Sequence, residues 1–334
     1  MGGDKAPLEV VKGAYAASLE YNANYILVGD KVEILRIADE EGMDLRRFDI
    51  VDAPVTVEMT DPPLAVMKAK KDSSMTVGFR HLAEGKIDGF ASAGSTGAMM
   101  VGCMQVIKPI KGVIRPVIST LMPIVMNRRG LLLDVGLNVD AKPEVLAQYG
   151  LLGSIYAEAV LGIEKPRIGL LNIGEEEGKG NAQAKATYDL LKEQKGINFV
   201  GNVESSYIFT GKYCDVVVAD GFVGNVILKM AEAMYRINSR LTPFKPWLLN
   251  LLRPVLEPVC PKLYYHQNFW NAMNYESVGG TIVIGINSPV MIGHGGSSAK
   301  AICSLICTME RNIQSRVCDK LRDAFKDFEP VTEE

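Results

Sequence analysis

The chain has 334 residues, of which 48% are hydrophobic and 22% charged, and its formal net charge is −3 at pH 7. This length and composition are typical of one enzyme-sized α/β body. Acidic and basic residues are interspersed, which excludes a basic stripe and predicts no nucleic-acid partner. No leader-like segment and no apolar run of the roughly 20 residues that span a bilayer is present. We expect a cytoplasmic protein that contacts membranes at most peripherally.

The cysteines are predicted to be free thiols. Six cysteines occur in a chain without a secretion signal, and such chains usually stay in a reducing cytosol. Cys303 and Cys307 are spaced i, i+4 in an apolar helical tract. This spacing favours helix packing over metal binding, because no further ligand lies nearby in the sequence. We predict no metal site.

Short β-rich runs alternate with amphipathic helical runs along the chain. The first run, Tyr25–Val28, precedes a helix near Lys31–Glu41. Later runs lie at Gly89–Ser92, Leu131–Val135, Arg167–Ile173, Val216–Ala219 and Thr281–Ile286. This alternation predicts a mostly parallel sheet covered by helices, with ligands at the carboxyl ends of its strands. We expect a single two-lobed domain over residues 1–334.

Two tracts of small and hydroxyl-bearing residues, Ser92–Ala98 and Gly293–Lys300, each follow an apolar run and lead into a predicted helix. Such a position turns free backbone N–H groups and the positive end of a helix outward, which favours phosphate. The hydroxyls of Ser95 and Thr96 would be further donors. A strand-to-helix turn capped by Ser or Thr explains the first tract equally. In the second tract, His294 could contact a phosphate, protonate a leaving group or simply be solvated.

Aspartate and asparagine follow two further predicted strands. Asp134 and Asn138 come after the run that begins at Leu131, and Asp220 and Asn225 come after the run that begins at Val216. Both pairs suit a site at the edge of a sheet. Both also suit Asx turns and helix N-caps, so two interpretations stay open.

The loop at Asn172–Asn181 resembles a P-loop only superficially. Its glycine spacing is one residue short, Ser or Thr is missing after Lys179, and three glutamates would repel the phosphates of a nucleotide. ATP is therefore not predicted. The carboxylates could bind a basic group, orient Lys179 and Lys185, or only solvate the loop.

The segment 241–265 combines large apolar side chains with five prolines. The prolines exclude one long helix and predict short helical pieces with a broad apolar face. A hairpin at a dimer interface, contact with a membrane and simple core packing are three interpretations. The candidate membrane-contacting residues are Leu241, Phe244, Trp247, Leu248, Leu251 and Leu252.

Signatures of several other enzyme classes are absent from the sequence. It has no Gly-x-Ser-x-Gly elbow, no Cys/His pairing with family-type spacing and no Gly-x-Gly-x-x-Gly fingerprint. The sequence therefore supplies no signature of a covalent nucleophile or of a Rossmann-type dinucleotide site.

Seven segments, in order along nearly the whole chain, closely resemble the bacterial phosphate acyltransferases. They are Met1–Asp4, Lys71–Met75, Ser92–Ala98, Leu132–Gly136, Asn172–Gly180, Asp220–Lys229 and Gly293–Ile302. The resemblance implies an isocitrate/isopropylmalate dehydrogenase-like fold. This would be a three-layer α/β/α sandwich with a mostly parallel sheet and a protruding apolar hairpin at 241–265. It also implies a homodimer and no cofactor.

The activity that the resemblance implies is conversion of long-chain acyl-[acyl carrier protein] and inorganic phosphate to acyl phosphate, for phospholipid synthesis. The implied partners are acyl carrier protein, phosphate, a membrane surface and a downstream glycerol-3-phosphate acyltransferase. The alternatives are a phosphotransacylase that uses coenzyme A, a β-decarboxylating dehydrogenase on the same fold, and a non-catalytic membrane scaffold for acyl carrier protein.

Roles for single residues come with the resemblance. Phosphate binding is expected from Gly3, Asp4, Gly94, Ser95, Thr96, Gly97, Ser297 and Lys300. Catalytic roles are expected for Lys185, Asp220, Asn225 and His294, and supporting roles for Asp134, Asn138, Glu176 and Lys179. Such amides, hydroxyls and lysines suit positioning and oxyanion stabilisation when phosphate is itself the nucleophile.

Overall fold

The computed structural model describes residues 1–125, 127–241, 251, 252, 254, 255, 258 and 269–326. The chain divides into two compact units. Unit 1 comprises Met1–Pro116 and Val278–Glu334, and unit 2 comprises Val117–Ser277. The expectation of a single two-lobed domain stays a prediction.

Unit 1 contains both ends of the chain. Its helices are α1 (Leu8–Glu20), α2 (Lys31–Glu40), α3 (Pro63–Ala69), α4 (Ser74–Ala83), α5 (Thr96–Gly102), α10 (Ala299–Gln314) and α11 (Val317–Phe325), and a π-helical turn at Cys103–Ile107 follows α5. Its strands are β1 (Tyr25–Gly29), β2 (Phe48–Asp52), β3 (Phe90–Ser92), β9 (Thr281–Ile284) and β10 (Val290–Ile292).

The strands of unit 1 form two groups. β1 and β2 pair in parallel, and β10 lies between β3, to which it is parallel, and β9, to which it is antiparallel. Apolar side chains of α1 and α2, including Val11, Ile34 and Ile37, form a core with Leu27 of β1 and Phe48 of β2. The amphipathic spacing of these residues explains why the two helices cover this sheet.

α1 and α10 pack closely because α1 has a glycine at their contact. A Cβ atom on Gly13 would lie 2.4 Å from Cβ of Ile302 and 2.6 Å from the carbonyl oxygen of Ala299. A larger residue at position 13 would therefore force the two helices apart. α10 begins within the second glycine-rich tract, Gly293–Lys300.

In its described residues, unit 2 is built on five strands and three long helices. The strands are β4 (Val117–Ile124), β5 (Arg128–Leu133), β6 (Arg167–Asn172), β7 (Asn198–Glu204) and β8 (Val216–Val218), and the helices are α6 (Pro143–Leu161), α7 (Ala182–Glu193) and α8 (Gly221–Leu241). A short helix, α9 (Tyr275–Val278), follows. The strand order is β4-β5-β8-β6-β7, with only the β4–β5 pair antiparallel among these neighbours.

A buried carboxylate ties the strands of unit 2 together. Asp215, one residue before β8, accepts hydrogen bonds from Arg128 Nη2 at 2.6 Å and from Arg167 Nε at 2.9 Å. Burial alone would raise the pKa of Asp215, but hydrogen bonds from Arg167 and the charges of both arginines outweigh it and lower that pKa. Arg167 also donates to the carbonyl oxygens of Gly211 and Lys212.

Each predicted β-rich run overlaps an observed strand, although some boundaries were wrong. The run predicted at Leu131–Val135 is a strand that begins at Arg128 and ends at Leu133, so Asp134 stands just outside it. Asn225, a candidate helix N-cap in the sequence, does not cap a helix, because α8 begins at Gly221 and has 21 residues. Its earlier start places Asn225 inside the helix.

Candidate active site

The two glycine-rich tracts of unit 1 follow neighbouring parallel strands. Ser92 at the end of β3 is in register with Ile292 at the end of β10, and the amide of Gly293 donates to the carbonyl oxygen of Ser92 at 2.9 Å. Both tracts therefore leave the sheet at the same edge. Each leads into a helix, α5 after the first and α10 after the second, as the sequence predicted.

Ser95 is the N-cap of α5. Its Oγ accepts from the amide of Ala98 at 3.4 Å, and Oγ of Ser92 accepts from the amide of Gly94 at 3.2 Å. The cap interpretation of Ser95 is thus correct, and its buried hydroxyl still has a proton to donate. Thr96 and Gly97, the first two residues of α5, are exposed.

The segment at Gly3 and Asp4 reaches both tracts. A Cβ atom on Gly3 would lie 2.7 Å from the carbonyl oxygen of Ala93 and 3.2 Å from that of Gly295. A Cβ atom on Gly295 would in turn lie 3.3 Å from a carboxylate oxygen of Asp4. The three segments meet so closely that only glycine fits at position 3 without a shift.

His294 is held in one orientation by its own turn. Its Nδ1 accepts a hydrogen bond from the amide of Gly296 at 3.0 Å. In the neutral imidazole this leaves Nε2 with the proton. His294 is exposed.

Ser297 and Glu9 bear on the expectation that the second tract binds phosphate. Ser297 is 2% exposed, and its Oγ has no hydrogen-bond partner within the described part of the chain. The amide of Ala299, at the start of α10, donates to Oε2 of Glu9 at 2.5 Å. A carboxylate thus already occupies part of the positive end of α10. Lys300, the second residue of α10, is exposed.

Unit 2 has its own cluster of predicted residues around Asp134. This side chain, 0% exposed, accepts from the amides of Gly136, Leu137 and Asn138 at 3.0, 3.0 and 2.7 Å. It also accepts from Nδ2 of Asn138 at 3.0 Å. Burial raises the pKa of Asp134, and these hydrogen bonds oppose the rise. Asp134 therefore shapes the turn after β5.

The start of α8 packs onto this turn. The amide of Gly221 donates to the carbonyl oxygen of Asn138 at 2.8 Å, and a Cβ atom on Gly224 would lie 1.8 Å from the carbonyl oxygen of Asp134. Asp220 accepts from the amide of Val223 at 2.8 Å as a cap. Asn225 is exposed on the first turn and its amide group lies beside Gly136. The structure thus brings Asp134, Asn138, Asp220 and Asn225 together.

Two asparagines that the sequence analysis passed over hold the acidic loop. Nδ2 of Asn172 donates to the carbonyl oxygen of Lys179 at 3.1 Å and to Oδ1 of Asn202 at 3.0 Å. Nδ2 of Asn202 donates to the carbonyl oxygen of Glu176 at 2.8 Å. Asn172 was visible at the start of the predicted loop, whereas Asn202 lies on β7, which was not predicted.

The charged residues of the loop point to solvent. Lys179 and Glu176 form an exposed pair with 3.8 Å between Nζ and Oε1. Lys185, on the first turns of α7, is exposed as well. Glu176, Lys179 and Lys185 are therefore accessible to a ligand or a partner.

Only part of the predicted apolar segment lies in the described residues. Leu241, Leu251 and Leu252 are exposed; Phe244, Trp247 and Leu248 lie outside the described residues. α8, which leads to this segment, carries an exposed apolar stripe of Phe222, Val226, Met230, Ile237 and Leu241. Among the helices that the structure describes, none is long and apolar enough to cross a membrane.

Comparison with solved structures identifies the fold. A phosphotransacetylase from Streptococcus pyogenes superimposes with a TM-score of 0.63 and 17% identity, over 92% of this chain and 92% of that one. A 4-hydroxythreonine-4-phosphate dehydrogenase from Klebsiella pneumoniae superimposes with a TM-score of 0.54 and 12% identity, over 91% of this chain and 93% of that one. The predicted fold class, an isocitrate/isopropylmalate dehydrogenase-like α/β fold, is confirmed.

Comparison of sequences identifies the family. A family model described as "Fatty acid synthesis protein" matches residues 1–320. The phosphate acyltransferase of Dictyoglomus thermophilum is 40% identical over 328 residues, 96% of this chain and 94% of that protein. The phosphate acyltransferase of Desulfitobacterium hafniense (strain DSM 10664 / DCB-2) is 39% identical over 340 residues, which are 100% of this chain and 98% of that protein. With identity at this level over its full length, the chain belongs to the phosphate acyltransferases, a family of transferases in fatty acid and phospholipid synthesis.

Proposed function

We propose that the chain transfers a long-chain acyl group from the thioester of acyl carrier protein to inorganic phosphate. The observation that carries this proposal is the pair of glycine-rich tracts that leave neighbouring parallel strands of unit 1 beside Gly3. Backbone amides at a sheet edge and at helix starts suit a phosphate dianion. The membership of the chain in an acyltransferase family supplies the reaction class.

The reaction needs no nucleophile from the protein. Phosphate, with a second pKa near about 6 as in phosphate monoesters, is largely dianionic at neutral pH. One of its oxygens attacks the thioester carbon, and the tetrahedral oxyanion collapses with cleavage of the C–S bond. The leaving thiolate takes the proton that the attacking hydrogen phosphate gives up, and acyl phosphate remains. The protein must position phosphate and stabilise the oxyanion.

In unit 1, we assign phosphate binding to backbone amides and hydroxyls. The candidates in the first tract are Gly94, Ser95, Thr96 and Gly97. Those in the segment that reaches both tracts are Gly3 and Asp4, and those in the second tract are Ser297 and Lys300. The buried, unpartnered hydroxyl of Ser297 is the strongest candidate donor, because a buried hydroxyl without a partner costs about 1–3 kcal/mol. His294, with its proton on Nε2, would donate a hydrogen bond to the leaving sulfur.

In unit 2, we assign catalytic roles to Lys185, Asp220 and Asn225, and supporting roles to Asp134, Asn138, Glu176 and Lys179. We assign charge neutralisation to Lys185 and oxyanion contact to Asn225, with Asp220 at the cap beside it. Asp134 and Asn138 hold the turn on which α8 starts. Glu176 and Lys179 would contribute to the docking of acyl carrier protein.

The first test is formation of acyl phosphate, trapped as hydroxamate, from palmitoyl-[acyl carrier protein] and inorganic phosphate. A parallel reaction with palmitoyl coenzyme A separates the coenzyme A-dependent alternative. We expect product with the carrier protein and strict dependence on phosphate. Product only with coenzyme A would favour the alternative enzyme. No product with either donor from folded protein would favour the non-catalytic scaffold.

His294→Ala and Asn225→Ala are expected to lower kcat by at least about a hundredfold each, as loss of an oxyanion-hole donor does. The measurement is hydroxamate yield at saturating donor and phosphate. His81→Ala is the matched control, since His81 lies outside the glycine-rich tracts and should leave kcat unchanged. A loss of less than tenfold in either site variant would remove that residue from the mechanism.

We also propose that the chain forms a homodimer and contacts the membrane through the segment 241–265. The exposed stripe of α8 supplies an apolar face for association. Acyl phosphate with a long chain is labile and apolar, so release at a membrane would favour transfer to a glycerol-3-phosphate acyltransferase.

Leu241→Glu/Leu251→Glu is expected to reduce binding to anionic vesicles at least tenfold, because each leucine would lose about 1.5–3 kcal/mol of burial. Vesicle co-sedimentation measures the change, and size-exclusion chromatography separates it from a loss of dimer. Val32→Glu, at an equally exposed position on α2, is the control. Unchanged co-sedimentation of the double variant would exclude this segment from membrane contact.

A further inference from the structure

A carboxylate and two thiols lie close together where the last turn of α1 packs against α10. Glu20 is the last residue of α1, and Cys303 and Cys307 lie one turn apart on α10. Sγ of Cys303 lies 3.9 Å from Oε1 of Glu20, and Sγ of Cys307 lies 3.6 Å from Oε2. The three ligand atoms all lie within 4.8 Å of one another.

These separations match those of ligands around one zinc ion. Zinc–sulfur bonds are about 2.3 Å long and zinc–oxygen bonds about 2.0–2.2 Å. Tetrahedral geometry therefore places sulfur and oxygen roughly 3.5 Å apart. The observed distances of 3.6 and 3.9 Å need only small side-chain movements to reach that value. Thiolates also select soft or borderline cations such as Zn²⁺ over Mg²⁺ and Ca²⁺.

Burial is graded across the cluster in a way that suits a metal site. Cys307 is buried, Cys303 is half-buried and Glu20 is exposed. The buried side fixes two ligands on a rigid helix, and the exposed side leaves the fourth position open to water. Both oxygens of the Glu20 carboxylate face a thiol, one each.

We propose that Glu20, Cys303 and Cys307 bind one zinc ion, which joins α1 to α10. The sequence alone argued against a metal because the cysteine pair had no partner ligand. The partner comes from a position 283 residues away from Cys303 in the chain. Only the packing of α1 on α10, which Gly13 permits, brings it into range.

The metal would fix one end of a helix pair whose other end adjoins the phosphate-binding residues. At that other end, Glu9 of α1 accepts from the amide of Ala299, the first residue of α10. Ser297 and Ser298, which lead into α10, belong to the second glycine-rich tract. The zinc ion would therefore hold α1 and α10 in register without itself contacting the reacting atoms.

The test is a titration of Co²⁺ into tag-free, full-length protein that has been stripped by chelator, in buffer without phosphate. We expect one Co²⁺ per chain with a thiolate-to-cobalt charge-transfer band, and displacement of that ion by one equivalent of Zn²⁺. Cys303→Ser and Cys307→Ser should each abolish the band. Cys318→Ser, which removes another half-buried cysteine of unit 1, is the matched control and should keep it.

Glu20→Gln keeps the test decisive if a cysteine variant misfolds, because Glu20 is exposed at a helix end. We expect it to weaken Zn²⁺ affinity at least about tenfold, measured by competition with a chromophoric chelator. Circular dichroism checks that each variant is folded. The proposal is wrong if the parent protein binds no stoichiometric Co²⁺ or Zn²⁺, or if the band survives Cys303→Ser/Cys307→Ser.

Discussion

Asp134→Ala is expected to lower the free energy of unfolding by about 3 kcal/mol or more. The substitution removes the acceptor of three backbone amides and of the Asn138 side chain. Each buried donor left without a partner costs about 1–3 kcal/mol. Because Gly224 packs against the carbonyl oxygen of residue 134, the start of α8 would loosen as well. Urea unfolding measures the change.

Asp220→Ala is the matched control for this prediction. Both aspartates follow neighbouring parallel strands of unit 2, but Asp220 is half-buried and, among the described residues, its side chain accepts only from the amide of Val223. Loss of one such cap costs about 1 kcal/mol. Equal destabilisation by the two substitutions would show that the hydrogen-bond cluster at Asp134 does not hold the turn.

The same pair of aspartates shows what the sequence could predict about the site. Strand-end placement correctly put Asp134 and Asp220 at one edge of a sheet, because parallel strands share that edge. It left open whether each was structural or catalytic. That distinction depends on burial and on the number of amides facing each carboxylate, and these follow from long-range packing.

The predicted fold class was correct because buried parallel strands and amphipathic helices leave strong local patterns. Four of the described strands, β2, β4, β7 and β10, were nevertheless missed. β10 has only three residues, too few to show a period. All eight residues of β4 are buried, but Ser119, Thr120 and Pro123 interrupt its apolar sequence, so the strand shows no continuous apolar run. Glu9 and Glu20 were missed for another reason, since their partners on α10 lie almost 300 residues away.

Asp215→Asn is expected to lower the free energy of unfolding by about 3 kcal/mol at pH 7. Breaking a buried ion pair costs about 3–5 kcal/mol, and the lower end applies because Arg128 and Arg167 are partly exposed. The substitution leaves both guanidinium groups without their carboxylate. Urea unfolding of parent and variant, repeated from pH 7 downward, gives both the magnitude and the pH dependence.

The pH dependence follows from the lowered pKa of Asp215 in the folded state. An aspartate in the unfolded chain has a pKa of about 3.9, so the stabilisation is complete above that pH. It is lost as the pH falls through the lower pKa of the folded protein, where protonated Asp215 resembles asparagine. The difference between parent and variant should therefore shrink below about pH 4.

A second arginine-paired aspartate, Asp44, distinguishes the effect of burial on stability from the effect of the paired charge. Hydrogen bonds from Arg46 lower the pKa of Asp44 to about 2, yet this pair lies on the surface of unit 1. Water screens an exposed pair and side-chain entropy opposes it, so Asp44→Asn should change stability little at any pH. A loss at Asp44 as large as that at Asp215 would mean that the lowered pKa, rather than the burial of the carboxylate between β5 and β6, sets its contribution to stability.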